Sequence, residues 1–193
     1  MKIAFLRHGP TEWNAQGRVQ GHTDIPLSEE GFQTMQALRP PFPAARVFAS
    51  PLLRARQTAK AMGFEKPILD ARLMEQNWGE WEGLSRAEIL ARDGDDAFLR
   101  AGHAAEFRPP GGESTQKLLA RVADFLRDAA REESDAVAIA HLGVLRAAYT
   151  LATGWNMATP MPEELDVSKA LVLEMDRLGR PALHALNVAL VNA

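Results

Sequence analysis

The chain has 193 residues, 46 % of them hydrophobic, with a net charge of −3; that is enough apolar content for one proper core, so a single domain over 1–193 is expected. It has no cysteine, which excludes disulfides, thiol catalysis and cysteine-ligated metal and agrees with a reducing, cytoplasmic setting. The mild negative charge gives no reason to expect nucleic acid or an anionic membrane as partner, so an anionic ligand has to be met locally.

Ile3 to Leu6 is an unbroken apolar run of strand length, as in a strand buried on both faces of a parallel sheet. It is too short for the apolar core of a signal peptide. Arg7, His8 and Gly9 follow at its carboxyl end: a fixed cation, a base that is uncharged near neutrality, and a residue that admits a close backbone approach. Ligands of open α/β sheets collect outside the carboxyl ends of strands, so chemistry is expected here.

Pro10 to Leu27 is a long polar loop carrying Asn14, Gln20 and His22, of a length usually tied to function. Ser28 is a helix N-cap with Glu29 and Glu30 behind it. Phe32, Met35 and Leu38 form the buried stripe of that helix, and the prolines from Pro40 onward end it. Arg46 to Ala49 is a second strand, followed by Ser50-Pro51 and a helix from Leu52 to Met62 that Gly63 caps. Pro67 to Leu69 is a short third strand. Asp70 to Gly83, with Glu75, Trp78, Glu80, Trp81 and Glu82, shows no period and reads as a structured loop, after which Ser85 and Glu88 fit a capping box.

Asp93-Gly94-Asp95-Asp96 lacks the spacing and terminal glutamate of a calcium loop and reads as a solvated helix break, so no metal is expected. Ser114 caps a helix whose Leu118, Leu119, Val122, Phe125, Leu126 and Ala129 share one face. Ala136 to Ala140 is another buried strand, and it delivers His141 before a helix from about Val144 to Thr153. The charges of His141 and Arg146 argue against a membrane span there. Trp155 to Asp166 reads as a loop, and Ala170 to Met175 with Pro181 to Leu186 as two closing strands. The alternation predicts an α/β fold, a three-layer α/β/α sandwich whose sheet is mostly parallel with an antiparallel edge strand.

Three strand ends thus supply Arg7 with His8, Arg54, and His141. Two arginines and two histidines around one point form an anion site, and a phosphoryl group satisfies that many donors better than a lone carboxylate. Neighbouring cations keep a histidine neutral, as a nucleophile requires. Attack of His8 on phosphorus would give a phosphohistidine, with Arg7, Arg54 and His141 on the transition-state oxygens and His141 best used as a charged donor. The leaving oxygen needs a general acid. Glu75, Glu80 and Glu82 are candidates, and residue physics alone does not choose among them. Ser114 reads as a cap rather than a nucleophile, the tryptophans as packing, and His22, His103 and His184 as residues without an assigned role.

The stretches Arg7-His8-Gly9-Pro10-Thr11-Glu12-Trp13-Asn14, Gln20-Gly21, Pro26-Leu27, Ser50 to Ala59, Leu73-Met74-Glu75 with Gly79 to Gly83, Gly112-Glu113-Ser114 and His141 together resemble the histidine phosphatase superfamily, also called phosphoglycerate mutase-like. The match runs in family order from Ile3 to about Tyr149. The resemblance implies His8 as the phosphorylated nucleophile, Arg7, Arg54 and His141 as the phosphate pocket, Asn14 and Gln20 as further phosphate or substrate contacts, and Glu75, at the family's Leu-x-Glu position, as the proton donor. It implies no metal and no cofactor. Two positions depart from it: Pro10 stands where the family commonly has glutamate, and Leu142 where a small residue is usual.

The function expected is a metal-independent phosphomonoester hydrolase acting through phosphohistidine on a small phosphorylated metabolite, α-ribazole phosphate among the candidates. The alternatives are a phosphoglycerate mutase, usually longer between the acidic loop and the second histidine, and a non-catalytic phospholigand-binding protein. A homodimer is compatible with this reading.

Overall fold

Ile3, Ala4, Phe5 and Leu6 are at most 1 % exposed, in a strand that lies inside a six-stranded sheet of the computed structural model. The structure describes residues 1–94, 97, 107–156 and 165–193. In chain order the described elements are β1 (Lys2–Arg7), α1 (Glu12–Ala15), α2 (Glu29–Gln36), β2 (Leu38–Arg39), β3 (Arg46–Ala49), α3 (Leu53–Ala61) and β4 (Ile68–Leu69). Two 3-10 turns, Ala71–Leu73 and Gly79–Trp81, precede α4 (Arg86–Asp93), α5 (Thr115–Ala130), β5 (Ala136–Ala140), α6 (Leu142–Thr153), β6 (Ala170–Met175), β7 (Pro181–Val188) and β8 (Val191–Asn192).

The main sheet runs β4-β3-β5-β1-β6-β7. The first four strands are parallel, while β6 runs antiparallel to both β1 and β7. The antiparallel pairing at one edge is thus the β6–β7 hairpin, and its reversed strand lies one place in from that edge.

Successive strand residues face opposite sides, so β1 serves two cores. Ile3 and Phe5 join Ala138, Leu171 and Leu173 beneath Val122, Phe125 and Leu126 of α5 and Val144 and Leu145 of α6. Ala4 and Leu6 join Val137, Ile139 and Val172 beneath Met35 of α2 and Ala55 and Ala59 of α3. Helices on both faces make the three layers. A third cluster, Trp81, Ile89 and Ala97 with Trp78 and Phe107 against it, sits under the acidic loop. There Trp78 stacks on Trp81 with centroids 5.9 Å apart, and the Trp81 indole N–H donates to Asp93.

Ser28, Ser85 and Ser114 cap their helices with their own hydroxyls, as read from sequence. Several boundaries differ. The helix after Ser28 stops at Gln36, and Leu38 belongs to β2, which pairs antiparallel with β8 at the far end of the chain. Leu38 fits the helical spacing, but a partner strand about 150 residues downstream leaves no mark on a local pattern. The loop after Gly9 contains α1, held by a capping box in which Thr11 and Asn14 exchange side-chain and backbone bonds. The helix after His141 begins at Leu142, with His141 itself at the N-cap position. Asp95, Asp96, His103 and most of the loop from Trp155 to Asp166 lie outside the described residues.

Candidate active site

Parallel pairing aligns the carboxyl ends of β1, β5 and β3. The His8 N–H donates to the Ala140 carbonyl at 2.9 Å, and the Ser50 N–H to the Ile139 carbonyl at 3.0 Å. The residues that follow these three strands are therefore neighbours, and the His8 and His141 rings lie 5.1 Å apart between centroids.

The His8 Nδ1 is 2.7 Å from the Gly9 carbonyl. A carbonyl can only accept, so Nδ1 carries the proton, and in the neutral ring Nε2 keeps its lone pair. Burial, followed by the charges of Arg7 and Arg54, pushes the His8 pKa down to about 3. The ring is thus neutral at any ordinary pH, with a basic nitrogen facing away from its own backbone. Gly9 fits closely beside it: a Cβ there would stand 2.5 Å from the Met35 side chain and 3.1 Å from the Gly31 carbonyl of α2, so a larger residue has to displace Met35.

His141 is fully buried, and its Nε2 lies 2.8 Å from the Ser50 hydroxyl. That hydroxyl oxygen also accepts the Leu52 N–H and keeps both its proton and a second lone pair for the ring, so either neutral tautomer of His141 satisfies the contact. Burial and the surrounding cations lower the His141 pKa well below the usual range. Without a ligand His141 is therefore neutral, because no anion among the described residues offsets its desolvation; the charged donor expected from sequence belongs to the state with a phosphoryl group bound.

Arg54, 0 % exposed, is fixed by the Gly21 carbonyl at 2.7 Å and the Thr23 carbonyl at 3.0 Å. Its helix is tied to the end of β1 through Thr58, which donates to the Arg54 carbonyl and accepts the Gly9 N–H. Burial lowers the pKa of both Arg7 and Arg54, and Glu75 opposes the effect at each. The Nε atoms of Arg7 and Arg54 and the Nδ1 of His141 are buried without a hydrogen-bond partner. Buried donors are seldom left so, and an anion with several oxygens would satisfy them.

The acidic loop separates the three glutamates that residue physics alone left equivalent. The Glu82 carboxylate accepts from the His22 N–H, the Thr23 N–H and hydroxyl, and the Trp78 N–H, so it staples the loop that anchors Arg54. Glu80 is exposed and pairs with Arg92. Glu75 instead accepts the Gly143 N–H, from the first turn of α6, at 3.0 and 3.2 Å, and the Gln76 N–H at 2.8 Å. It is the carboxylate whose field acts on Arg7 and Arg54 together.

Two residues the sequence reading passed over hold Glu75 in place. Its carbonyl accepts from His22 Nε2 at 2.8 Å and from Arg121 at 3.0 Å. Arg121 is itself clamped by both oxygens of Glu113. Arg121 lies on the helix read as packing and His22 had no visible partner, so spacing gave no sign of either. His184 likewise has a neighbour, Glu174, at 3.7 Å, far from the site elements.

Asn14 lines a cavity of about 250 Å³ together with Arg7 and His8. Its Oδ1 is occupied by Thr11, so the amide NH2 is the end that can meet a ligand. Gln20 has a buried Oε1 without a partner and makes no described contact with the histidines. A second cavity, of about 100 Å³, opens on the other side of Glu75 between Trp78, Leu142 and Arg146.

The model of the histidine phosphatase superfamily (branch 1) matches residues 3–189. The 2,3-bisphosphoglycerate-dependent phosphoglycerate mutase 2 of Gloeobacter violaceus is 35 % identical over 62 % of this chain, and the match spans only 58 % of that relative's length. Phosphoserine phosphatase 1 of Hydrogenobacter thermophilus is 29 % identical over 97 % of this chain and 92 % of its own. Among solved structures, a phosphoglycerate mutase from Thermus thermophilus superposes with a TM-score of 0.73 at 34 % identity, covering 99 % of this chain and 100 % of that one.

Proposed function

The chain belongs to the histidine phosphatase superfamily, and we propose that within it the protein is a metal-independent phosphomonoesterase working through phosphohistidine at His8. The observation that carries this reading is the Nδ1–H of His8 held on the Gly9 carbonyl, which leaves Nε2 unprotonated in a site where the Nε–H groups of Arg7 and Arg54 are buried without partners.

In the first step Nε2 attacks phosphorus, the ester P–O bond breaks, and Glu75 gives its proton to the leaving oxygen. The positive charge growing on the ring is spread through Nδ1–H to the Gly9 carbonyl, while Arg7, Arg54 and His141 take the phosphoryl oxygens. In the second step the Glu75 carboxylate accepts a proton from water as that water attacks phosphorus and the P–N bond breaks. This frees phosphate and restores His8 and the acid. Asn14 and Gln20 are the proposed outer contacts.

Hydrolysis is favoured over transfer by the nearly end-to-end match to a phosphatase of similar length, against the partial match to the Gloeobacter mutase. The Thermus mutase of equal length supports the second reading, in which the phosphoryl group returns to substrate. An acid-quench assay with a panel of phosphate esters, including 3-phosphoglycerate, phosphoserine and α-ribazole phosphate, separates them. Free phosphate is expected. Movement of phosphate between glycerate positions would make the protein a mutase, and binding without turnover a phospholigand-binding protein.

A further inference from the structure

Gly21, His22 and Thr23 form one short stretch that touches both halves of the site. The carbonyls before and after His22, those of Gly21 and Thr23, accept from the Arg54 guanidinium at 2.7 and 3.0 Å. The His22 ring reaches the acidic loop, where Nε2 lies 2.8 Å from the Glu75 carbonyl. A carbonyl only accepts, so Nε2 carries a proton. The N–H groups of His22 and Thr23 go to the two oxygens of Glu82. A Cβ at Gly21, whose φ is +55°, would collide with that carboxylate. The tripeptide is thus fixed on three sides, and its one long side chain ends on the backbone of Glu75.

Arg54 and Glu75 come from separate segments, since α3 follows β3 and Glu75 follows the first 3-10 turn. Under the reading above, Arg54 holds phosphoryl oxygens while Glu75 protonates the ester oxygen on the same phosphorus, so the spacing of the two groups has to match one phosphate ester. A general acid works within about 3 Å of the oxygen it protonates, and a misplacement of about 1 Å can cost about 10²-fold. The Glu75 carboxylate is aimed by the Gly143 and Gln76 N–H groups, and its carbonyl is held from α5 by Arg121. None of these three donors lies in the stretch that holds Arg54. His22 does, because its own backbone joins the two carbonyls on the guanidinium. Glu82 also links the two loops, but through a side chain seven residues beyond Glu75.

We infer that His22 is a positioning residue that couples the phosphate clamp to the acid, its ring setting the spacing between Arg54 and the backbone of Glu75. Its bond is to a main-chain carbonyl rather than to a reacting atom, so it acts through Glu75. Such supporting contacts are what hold a catalytic group in its productive geometry. The inference rests on the reading above for the statement that Glu75 is the acid.

The test measures the rate of phosphoenzyme formation, a step that hydrolysis and transfer share, in wild type, His22→Ala, His22→Gln and His22→Asn. The substrates are p-nitrophenyl phosphate, whose leaving group needs no proton, and the alkyl ester of the panel with the highest kcat/KM. His22→Ala is expected to lower the rate on the alkyl ester about tenfold, while the rate on the aryl ester and inhibition by vanadate stay within about twofold of wild type. Those two unchanged values separate a displaced acid from a loosened pocket. The amide nitrogen of glutamine reaches the place of Nε2, so His22→Gln is expected to restore most of the alkyl rate, and the shorter asparagine is not. That pair decides the matter if the alanine variant does not fold. An equal loss on both esters, a matching loss of vanadate affinity, or no loss at all in His22→Ala overturns the coupling, as does equal behaviour of the glutamine and asparagine variants. Absence of phosphoenzyme from wild type with either ester would instead overturn the phosphatase reading, and with it Glu75 as an acid to be positioned.

Discussion

Glu75 Oε1 accepts the backbone N–H of Gly143 at 3.0 Å across 68 residues of sequence, and a Cβ at Gly143 would stand 2.2 Å from that same oxygen. The contact aims the carboxylate with a rigid backbone donor in the first turn of α6, where the helix dipole also favours negative charge. It leaves no room for a larger residue.

Gly143→Ala is therefore expected to push the Glu75 carboxylate out of line and to reduce kcat on alkyl phosphates by about 10²-fold or more, as loss of a general acid does, with the fold retained. Glu75→Gln should reproduce the effect. Both should form the phosphoenzyme from p-nitrophenyl phosphate, whose leaving group needs no proton, at a rate close to wild type, while its breakdown by water slows because Glu75 is also the base of that step. Glu80→Gln should be silent, since Glu80 is exposed and paired with Arg92. Pre-steady-state phosphoenzyme formation from the two ester types, with steady-state kinetics for Glu80→Gln, checks all three, and an equal loss of phosphorylation rate on both types would count against Glu75 as the acid.

His8→Asn removes the Nε2 lone pair while a side-chain N–H can still approach the Gly9 carbonyl. Turnover should fall on the order of 10⁴-fold or more, by analogy with loss of other catalytic nucleophiles. The alkali-stable phosphoenzyme labelled from a radioactive ester should vanish with it. Labelled phosphoenzyme surviving in the variant would place the nucleophile elsewhere.

Glu82 holds the His22, Thr23 and Trp78 N–H groups, and the loop of His22 and Thr23 carries the Gly21 and Thr23 carbonyls that anchor Arg54. Glu82→Ala should cost about 2 kcal/mol of stability, the scale of hydrogen bonds to a charged group. It should also weaken inhibition by vanadate, because Arg54 loses its mooring. Urea unfolding and an inhibition curve measure the two effects. Full stability with unchanged vanadate affinity would refute the connection.

The two buried histidines make the ligand-free protein sensitive to acid. Their pKa values are lowered in the folded state, His8 from 6.5 to about 3 and His141 also well below 6.5. Between those limits the unfolded chain binds protons that the native one does not, so stability falls as pH falls below 6.5, by up to about 1.4 kcal/mol per pH unit for each ring. His8→Asn should show a shallower decline of unfolding free energy between pH 6.5 and 4.5. A slope identical to wild type would mean that His8 titrates normally.

Arg7-His8-Gly9 and His141 were visible in the sequence because each follows a strand whose apolar run is local, whereas Arg54 and Glu75 were singled out by the ordered family motifs rather than by a local pattern. Unbroken apolar runs mark β1 and β5, and a 3.6-residue period marks α5, through the residues they bury, and parallel strands send their following residues to one edge. The three serine caps were legible for the same reason, since a cap is a contact over three residues. What only the tertiary structure decided are contacts between segments with no shared periodicity. The end of α2 yields Leu38 to a strand at the other terminus, Glu82 becomes a staple while Glu75 meets Gly143, and Arg121 and His22 converge on one carbonyl. The protonation of the two histidines was also beyond the sequence, because it depends on how much water the packed elements exclude and how many cations they leave nearby.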